Sequence, residues 1–423
     1  MSGFGEIIQD MAGTTDRSFL LLQGPVGPFF ALLARRLQGH GHRASRILFN
    51  GGDSLFSRAA GAVSYRGDLA GWPAFLEAQL RAQAVTDIVL FGDCRPLHRE
   101  AVLQARALGI TVHVLEEGYL RPHWLTLEVG GVNGYSALPR SPEWYLAQAR
   151  GLPAWHAPHP VIDSFAFRAL VNVLYQLATL ICTRHYPGYR THRPWHPLAE
   201  YGATARASLV SIFARWRSAR RAGRMVAQAR PWYLFPLQLE SDSQIRFHSA
   251  AGSLLPVIEQ VVGSFARQAP AGTLLAVTEH PLDTGIVDLK RATRDAAERH
   301  GIGERVVYLR GGSPTELLRQ CRGVVTVNST IGFRALNLKR PLKPLGWAIY
   351  DMPGLSFQGS LDEFWQHGTA PDATLFEAFC RVLTARTQLN AGLYSPGALR
   401  RAADGVAARL FTSAASESPA SVR

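Results

Sequence analysis

Residues 87–118 read DIVLFGDCRPLHREAVLQARALGITVHVLEEG, and their pattern decides the fold. Asp87–Gly92 is a short apolar run. His98–Leu108 has the spacing of a helix. Thr111–Leu115 is a second apolar run that ends at Glu116-Glu117. A buried strand, a covering helix and a second buried strand spell one turn of a parallel α/β sheet. The same alternation extends toward the N-terminus. Arg17–Gln23 (RSFLLLQ) is strand-like, the loop GPVGPF (24–29) follows, a helical pattern runs from Phe30 to Gln38, and Ile47–Phe49 is another strand.

The alternation stops in the middle of the chain and resumes after it. Pro231–Leu237, Thr273–Val277, Arg305–Leu309, Gly323–Val327 and Pro344–Ile349 read as strands. Between them, helices are predicted over Ile245–Gln268, Val287–His300, a stretch opened by the capping box Ser313-Pro314-Thr315-Glu316, and Ile331–Leu338. Pro371–Thr412 reads as helical, and the last residues as a disordered tail. The predicted fold class is α/β: two Rossmann-like domains facing a cleft, with a helical basic insertion between them. The expected boundaries are 1–141, 142–230, 231–370, 371–412 for C-terminal helices, and 413–423 for the tail.

Composition agrees with this reading. The 423 residues are 47% apolar and 18% charged, enough for a sizeable core, which excludes disordered, collagenous and coiled-coil classes. The net charge is +13, and arginine supplies nearly all the cations, since only Lys290, Lys339 and Lys343 are lysines. Arginine preference suits phosphate or carboxylate partners, and also suits a GC-rich genome. Residues 184–230 hold ten arginines and one acidic residue, Glu200. Such a stretch is either a solvated helix face or a contact for an anionic membrane or substrate. The apolar segment 169–182 before it is too short for a confident transmembrane span; it either packs in the core or meets lipid. Cys94, Cys182, Cys321 and Cys380 form no CxxC pair, which argues against disulfides or structural zinc. The N-terminus has no signal-peptide pattern, so a cytoplasmic location is expected. A pI of 10.0 invites a nucleic-acid reading, but no recognised binding motif accompanies the charge.

In parallel sheets, ligands bind beyond the carboxyl ends of the strands, so the polar residues there are the candidates. Asn328-Ser329-Thr330 follows a strand and opens a helix, a place suited to capping, to phosphate, or to both. His280-Pro281 ends another strand. Glu240-Ser241-Asp242-Ser243 follows a third, and Asp242 is either a helix cap or a carboxylate nucleophile or base. Glu116 and Glu117 end a strand in the first half; two adjacent carboxylates can raise one another's pKa for acid/base work, or simply sit in a solvated turn. Gly24 and Gly27 of GPVGPF would let backbone approach a ligand. Walker, HExxH, GxSxG and DxD motifs are absent. Lack of DxD argues against a nucleotide-sugar enzyme that needs a divalent metal. Prolines between His185, His192 and His196 argue against a metal site there.

Several of these residues lie in stretches that resemble the bacterial capsule polysaccharide synthesis family, closest to its short, S-type member. The stretches are FNGGDSLF (49–56), LFGDCRPLHREA (90–101), EEGYLRPHWLTLEVGGVNGYSALPR (116–140), PLQLESDSQIR (236–246), EHPLDTG (279–285), VNSTIGFRAL (327–336) and YDMPGLSFQGSLDEFW (350–365). The resemblance implies a GT-B-like, metal-independent β-Kdo transferase, where Kdo is 3-deoxy-D-manno-octulosonic acid. It implies CMP-Kdo as donor, no cofactor, and a lyso-phosphatidylglycerol-type lipid as acceptor at the cytoplasmic face of the inner membrane. It also implies a retaining mechanism, with Asp242 as nucleophile, Glu116 as acid/base, and His280 beside the phosphate or sugar carboxylate. Asn328, Ser329, Thr330, Gln238, Ser241, Glu117, Arg121, Gly24 and Gly27 would complete the substrate contacts. Partners implied are the larger capsule β-Kdo transferase and the capsule export complex. Three alternatives stay open: a linker-elongating Kdo transferase, a transferase of another CMP-sugar, and a non-catalytic membrane adaptor.

Overall fold

The computed structural model describes residues 16–57, 61–156, 159–191, 217–228, 230–241, 245, 251–310 and 314–416. The first strand, β1 (Ser18–Leu21), is wholly buried. Helix α1 (Phe29–Gly39) buries Phe29, Phe30, Leu33, Ala34 and Leu37, one apolar stripe at helical spacing. Next come β2 (Arg43–Leu48), the one-turn α2 (Gly51–Leu55), β3 (Ala62–Ser64) and α3 (Trp72–Ala82). The deciding stretch forms β4 (Asp87–Phe91), α4 (Pro96–Ala107) and β5 (Thr111–Glu117), as its pattern predicts. β6 (Trp124–Val129) then turns back antiparallel to β5, with Glu116 opposite Thr126.

Two helices follow, α5 (Pro142–Gln148) and α6 (Phe165–Ile181). A second series of strands comprises β7 (Trp232–Pro236), β8 (Leu274–Glu279), β9 (Val306–Arg310), β10 (Gly323–Thr326) and β11 (Leu342–Pro344). Its helices are α7 (Leu254–Gln268), α8 (Leu289–Arg299), α9 (Pro314–Gln320), α10 (Ile331–Asn337), α11 (Leu361–His367) and α12 (Ala373–Arg386). The chain ends with β12 (Gln388–Asn390) and α13 (Pro396–Ser416).

Two sheets result. One has the order β12-β6-β5-β4-β1-β2-β3, the other β11-β10-β7-β8-β9. The second is parallel throughout. The first is parallel from β3 to β5 and antiparallel at β6 and β12. Each sheet has its own core. In the first, Phe19 and Leu21 pack with Leu33 of α1 and Val406 and Leu410 of α13. In the second, Phe235 and Val277 pack with Val261 and Phe265 of α7 and Trp365 of α11. At the amino edge of the first sheet, Asp87 accepts from His113 Nε2 at 2.8 Å and pairs with Arg17. Burial alone would raise that carboxyl's pKa, but the hydrogen bonds from His113, Arg17 and Thr86 outweigh it and hold the acid well below the usual range.

The chain divides into two units. One is 1–137, 157–190 and 387–423; the other is 138–156 and 191–386. This differs from the boundaries expected at 142–230 and 371–412. Helix α6 belongs with the first sheet because it packs on α2: a Cβ on Gly51 would stand 2.1 Å from the Ala178 carbonyl oxygen. Between the helices predicted over 371–412 lies an unexpected strand, β12, which leaves the second unit and pairs with β6; buried Gln388 Nε2 donates to Thr126 Oγ1 at 3.0 Å.

Local readings shift as well. The last strand of the second sheet is Leu342–Pro344 rather than Pro344–Ile349; Ala348 and Ile349 are buried outside it, so an apolar run imitated a strand. Of the helix expected over Ile245–Gln268, Ile245 is helical, 246–250 lie outside the described residues, and after a turn at 251–253 helix α7 starts at Leu254, where Ser253 caps by accepting from the Leu255 N–H at 3.2 Å. Ser313 of the expected capping box lies outside the described residues. All four cysteines are free thiols.

Candidate active site

Strands β1, β2 and β4 run parallel, so their carboxyl ends share one edge of the first sheet. That edge is filled by its own side chains. Asp53 sits fully buried in the first turn of α2, accepting from the Phe49 N–H at 3.0 Å and the Tyr175 hydroxyl at 2.8 Å. Tyr175 reaches in from α6 and accepts from Asn50 Nδ2 at 2.9 Å. Gln23, just past β1, donates to Tyr175 at 3.3 Å and to Tyr189 at 3.2 Å, and accepts from Arg95 Nη1 at 3.0 Å. Burial raises the Asp53 carboxyl and lowers the Arg95 guanidinium from their ordinary values. The expected loop glycines serve this packing: Gly27 has φ +123°, and a Cβ there would meet Val171 of α6 at 2.9 Å, while one on Gly24 would meet Phe30 at 2.8 Å.

Glu116 and Glu117 are consecutive residues of β5, so their side chains leave opposite faces of the sheet. The expected crowding of two carboxylates in one site is therefore not what the fold builds. Glu117 accepts from the Tyr394 hydroxyl at 3.0 Å and pairs with Arg121 at 2.9 Å. Glu116 is half-buried, and its charge is felt by Cys94, Arg95 and Tyr119. Beneath the same loop, Glu128 of β6 accepts from the Tyr119 hydroxyl at 2.6 Å and from Ser136. Burial pushes the Glu128 carboxyl up to about 7 despite those two donors.

In the second unit the carboxyl ends of β7, β8 and β10 likewise share an edge. Gln238 and Asn328 clasp across it: Gln238 Nε2 donates to Asn328 Oδ1 at 3.0 Å, and the Asn328 N–H donates to Gln238 Oε1 at 3.2 Å. Both residues are buried, so the clasp fixes the chain on either side of it. Next to Asn328, Ser329 and Thr330 are half-buried hydroxyls. Ser329 Oγ accepts from the Ile331 N–H at 3.3 Å, and the Tyr350 hydroxyl donates to the Ser329 carbonyl at 2.7 Å. Thr330, at the N-cap position, makes no capping bond with its side chain.

His280 follows β8, and its Nδ1 accepts from the Leu282 N–H at 3.1 Å. That bond puts the proton of a neutral ring on Nε2. Glu279, before it, pairs with Arg310 at 2.6 Å and accepts from Tyr308 at 2.9 Å. A small cavity of about 30 Å³ is lined by Glu240 and Ser241 on one side and by Leu282, Asp283 and Thr284 on the other. The segment leading to Asp242 thus lies against the loop that carries His280. Asp242 itself is outside the described residues. Glu240 is taken up by the fold, accepting from the Leu254 N–H at 2.8 Å.

The structure gathers Gln238, Ser241, His280, Asn328, Ser329 and Thr330 on one edge of the second sheet. Glu116, Glu117, Arg121, Gly24 and Gly27 belong to the first unit. Among the described residues no group of three or more His, Cys, Asp or Glu could hold a metal ion. Sequence reasoning missed the set of buried Gln23, Asn50, Asp53 and Tyr175 with half-buried Arg95. The signal was present in FNGGDSLF, where Asn and Asp three apart flank two glycines at a strand end. Tyr175 was hidden inside an apolar helix.

Residues 86–394 match the family described as "Capsule polysaccharide biosynthesis protein". Over 383 residues the chain is 37% identical to the "Capsule polysaccharide export protein KpsS" of Escherichia coli, covering 89% of this chain and 97% of that one. It is 35% identical over 389 residues to the "Capsule polysaccharide modification protein LipB" of Neisseria meningitidis serogroup A, covering 89% and 92%. Among solved structures, the "Thermosulfurimonas dismutans KpsC, beta Kdo 2,7 transferase" aligns with a TM-score of 0.45 and 14% identity, over 93% of this chain and 100% of that one. The chain belongs to the capsule polysaccharide biosynthesis family.

Proposed function

We propose that this member of the capsule polysaccharide biosynthesis family is a glycosyltransferase that moves Kdo from CMP-Kdo to a (lyso)phosphatidylglycerol-type lipid, with retention, starting the β-Kdo linker of a capsule. The observation that carries the reading is the edge of the second sheet, where the buried Gln238–Asn328 clasp flanks Ser241, His280, Ser329 and Thr330. Hydroxyls and an imidazole N–H at strand ends suit an anionic sugar carboxylate and a phosphodiester. Two units, each built on a largely parallel sheet, are what a GT-B enzyme requires.

On this reading Asp242 attacks C2 of Kdo, the C2–O bond to the phosphate breaks, and CMP leaves. The acceptor hydroxyl then attacks C2, displaces the Asp242 carboxylate and gives its proton to Glu116. Two inversions give net retention. Glu117 and Arg121, engaged with each other, order the β5–β6 turn beside Glu116. No metal or cofactor enters this scheme. The location is the cytoplasmic face of the inner membrane, where the acceptor lies, alongside the larger Kdo transferase and the export complex.

The test is a transfer assay with CMP-Kdo generated in situ, a fluorescent lyso-phosphatidylglycerol and no added metal. A mass gain of one Kdo on the lipid is expected. Extension of a synthetic Kdo-lipid, with none on the bare lipid, would make the protein an elongating enzyme. No product on either would leave the adaptor role.

A further inference from the structure

Helix α6 turns a mixed face, Phe167, Val171, Tyr175 and Thr179, inward and an aliphatic face outward. Its inward face carries polar groups: Tyr175 donates to Asp53, and Thr179 Oγ1 accepts from the Gly52 N–H at 3.2 Å. Of the helix, Val171 and Tyr175 are buried. Its outward face is aliphatic, with Leu170, Val173, Leu174, Leu177, Leu180 and Ile181 exposed by 41–77%. These positions recur at helical spacing and form one stripe along a 17-residue helix roughly 25 Å long. Scattered exposed leucines are ordinary; a continuous stripe marks an interaction surface.

The stripe is held rigidly. Gly51 and Gly52 let α6 approach α2 so closely that a Cβ on Gly52 would stand 2.5 Å from the Tyr175 ring. Ser164 caps the helix, accepting from the Phe167 N–H at 3.2 Å. Arg168 in the first turn and Arg184, His185 and Arg190 beyond the last are exposed. Against those three arginines, residues 159–191 contain one acid, Asp163. Among the described residues no helix is long and apolar enough to cross a membrane.

We infer that the outward face of α6 lies flat in the interface of an anionic phospholipid bilayer, with the flanking arginines at the headgroups. An aliphatic stripe bordered by cations, on a helix too short to span, is the chemistry of an interfacial helix. Because α6 packs on α2, directly after β2, docking carries the carboxyl edge of the first sheet to the lipid surface. This placement rests on the proposed lipid acceptor and names the surface that meets it.

The test uses the full chain and vesicles of phosphatidylglycerol and phosphatidylcholine, with pure phosphatidylcholine as control. Co-sedimentation with the anionic vesicles is expected, and Leu170→Asp/Leu177→Asp should lower the partition coefficient by about tenfold or more. Both positions are exposed, so folding should survive, which circular dichroism checks. A second readout places an environment-sensitive fluorophore at Leu174→Cys in a Cys182→Ala background. Its emission should shift to the blue with anionic vesicles, while the same probe at Leu103→Cys, exposed on α4, should not shift. Vesicle binding unaffected by the double variant, or no shift at position 174, overturns the inference. So does a dimer that the double variant dissociates, since the stripe would then face a second copy. None of these readouts involves sugar transfer. An enzyme that binds vesicles through α6 yet transfers no Kdo would refute the activity and leave the docking intact.

Discussion

The two sheets carry different carboxyl edges. In the first unit, Gln23, Asn50, Asp53, Arg95 and Tyr175 satisfy one another in a buried network that α6 closes. In the second, the buried Gln238–Asn328 clasp is flanked by half-buried Ser241, His280, Ser329 and Thr330. The same strand-end position serves structure in one unit and, on the proposed function, meets the donor substrate in the other.

The sharpest way to break this contrast is Asp242→Asn. Loss of the proposed nucleophile should lower kcat by about a thousandfold or more, with an unchanged urea midpoint. Retained turnover would remove the second edge from the chemistry.

The next effect is on pH. The Glu128 pKa is pushed up to about 7 by burial, against an ordinary 4.5. Between those values the folded state keeps a proton that the unfolded chain has released. Stability from this group therefore falls as pH rises through that window, and the cost is fully present above it. Glu128→Gln should remove this slope. Its unfolding free energy relative to the parent should rise by about 3 kcal/mol from pH 4.5 to pH 7.5, read from urea titrations.

A third variant probes the closed edge. Tyr175→Phe removes the hydroxyl that donates to Asp53 and accepts from Asn50, and should cost about 1–3 kcal/mol in urea unfolding. No loss would mean the network is not what holds α6. The smallest effect belongs to Arg121→Gln. The Arg121–Glu117 pair is about half exposed, so its loss should change stability by under about 1 kcal/mol.

Much of this was legible in the residues. Short apolar runs such as Asp87–Gly92 and Thr111–Leu115 can be little other than buried parallel strands, and the helices between them follow from apolar spacing. Strand-end polar residues were found for the same reason. Three things were not legible. β6 was missed because WLTLEV pairs antiparallel within a turn-rich stretch, outside the strand–helix alternation. β12 was missed because three residues between two helices carry no periodic signal; their pairing with β6 exists only in three dimensions. The Glu116-Glu117 pair misled because adjacency in sequence is opposition across a strand. The Asn50–Asp53–Tyr175 network joins residues more than 120 positions apart, and no local pattern reports that.

The return of the chain to its first sheet has a consequence for synthesis. β12 and α13 complete the core that α1 and β1 begin, yet the whole second unit is translated between them. At about 5–20 residues per second, the nascent first unit waits some tens of seconds on the ribosome without its C-terminal helix. During that wait Leu33 and Ala34 of α1 lack the side chains of α13 that cover them in the finished protein. The second unit, continuous apart from α5, is complete in sequence before the first, so this chain can mature from its middle outward.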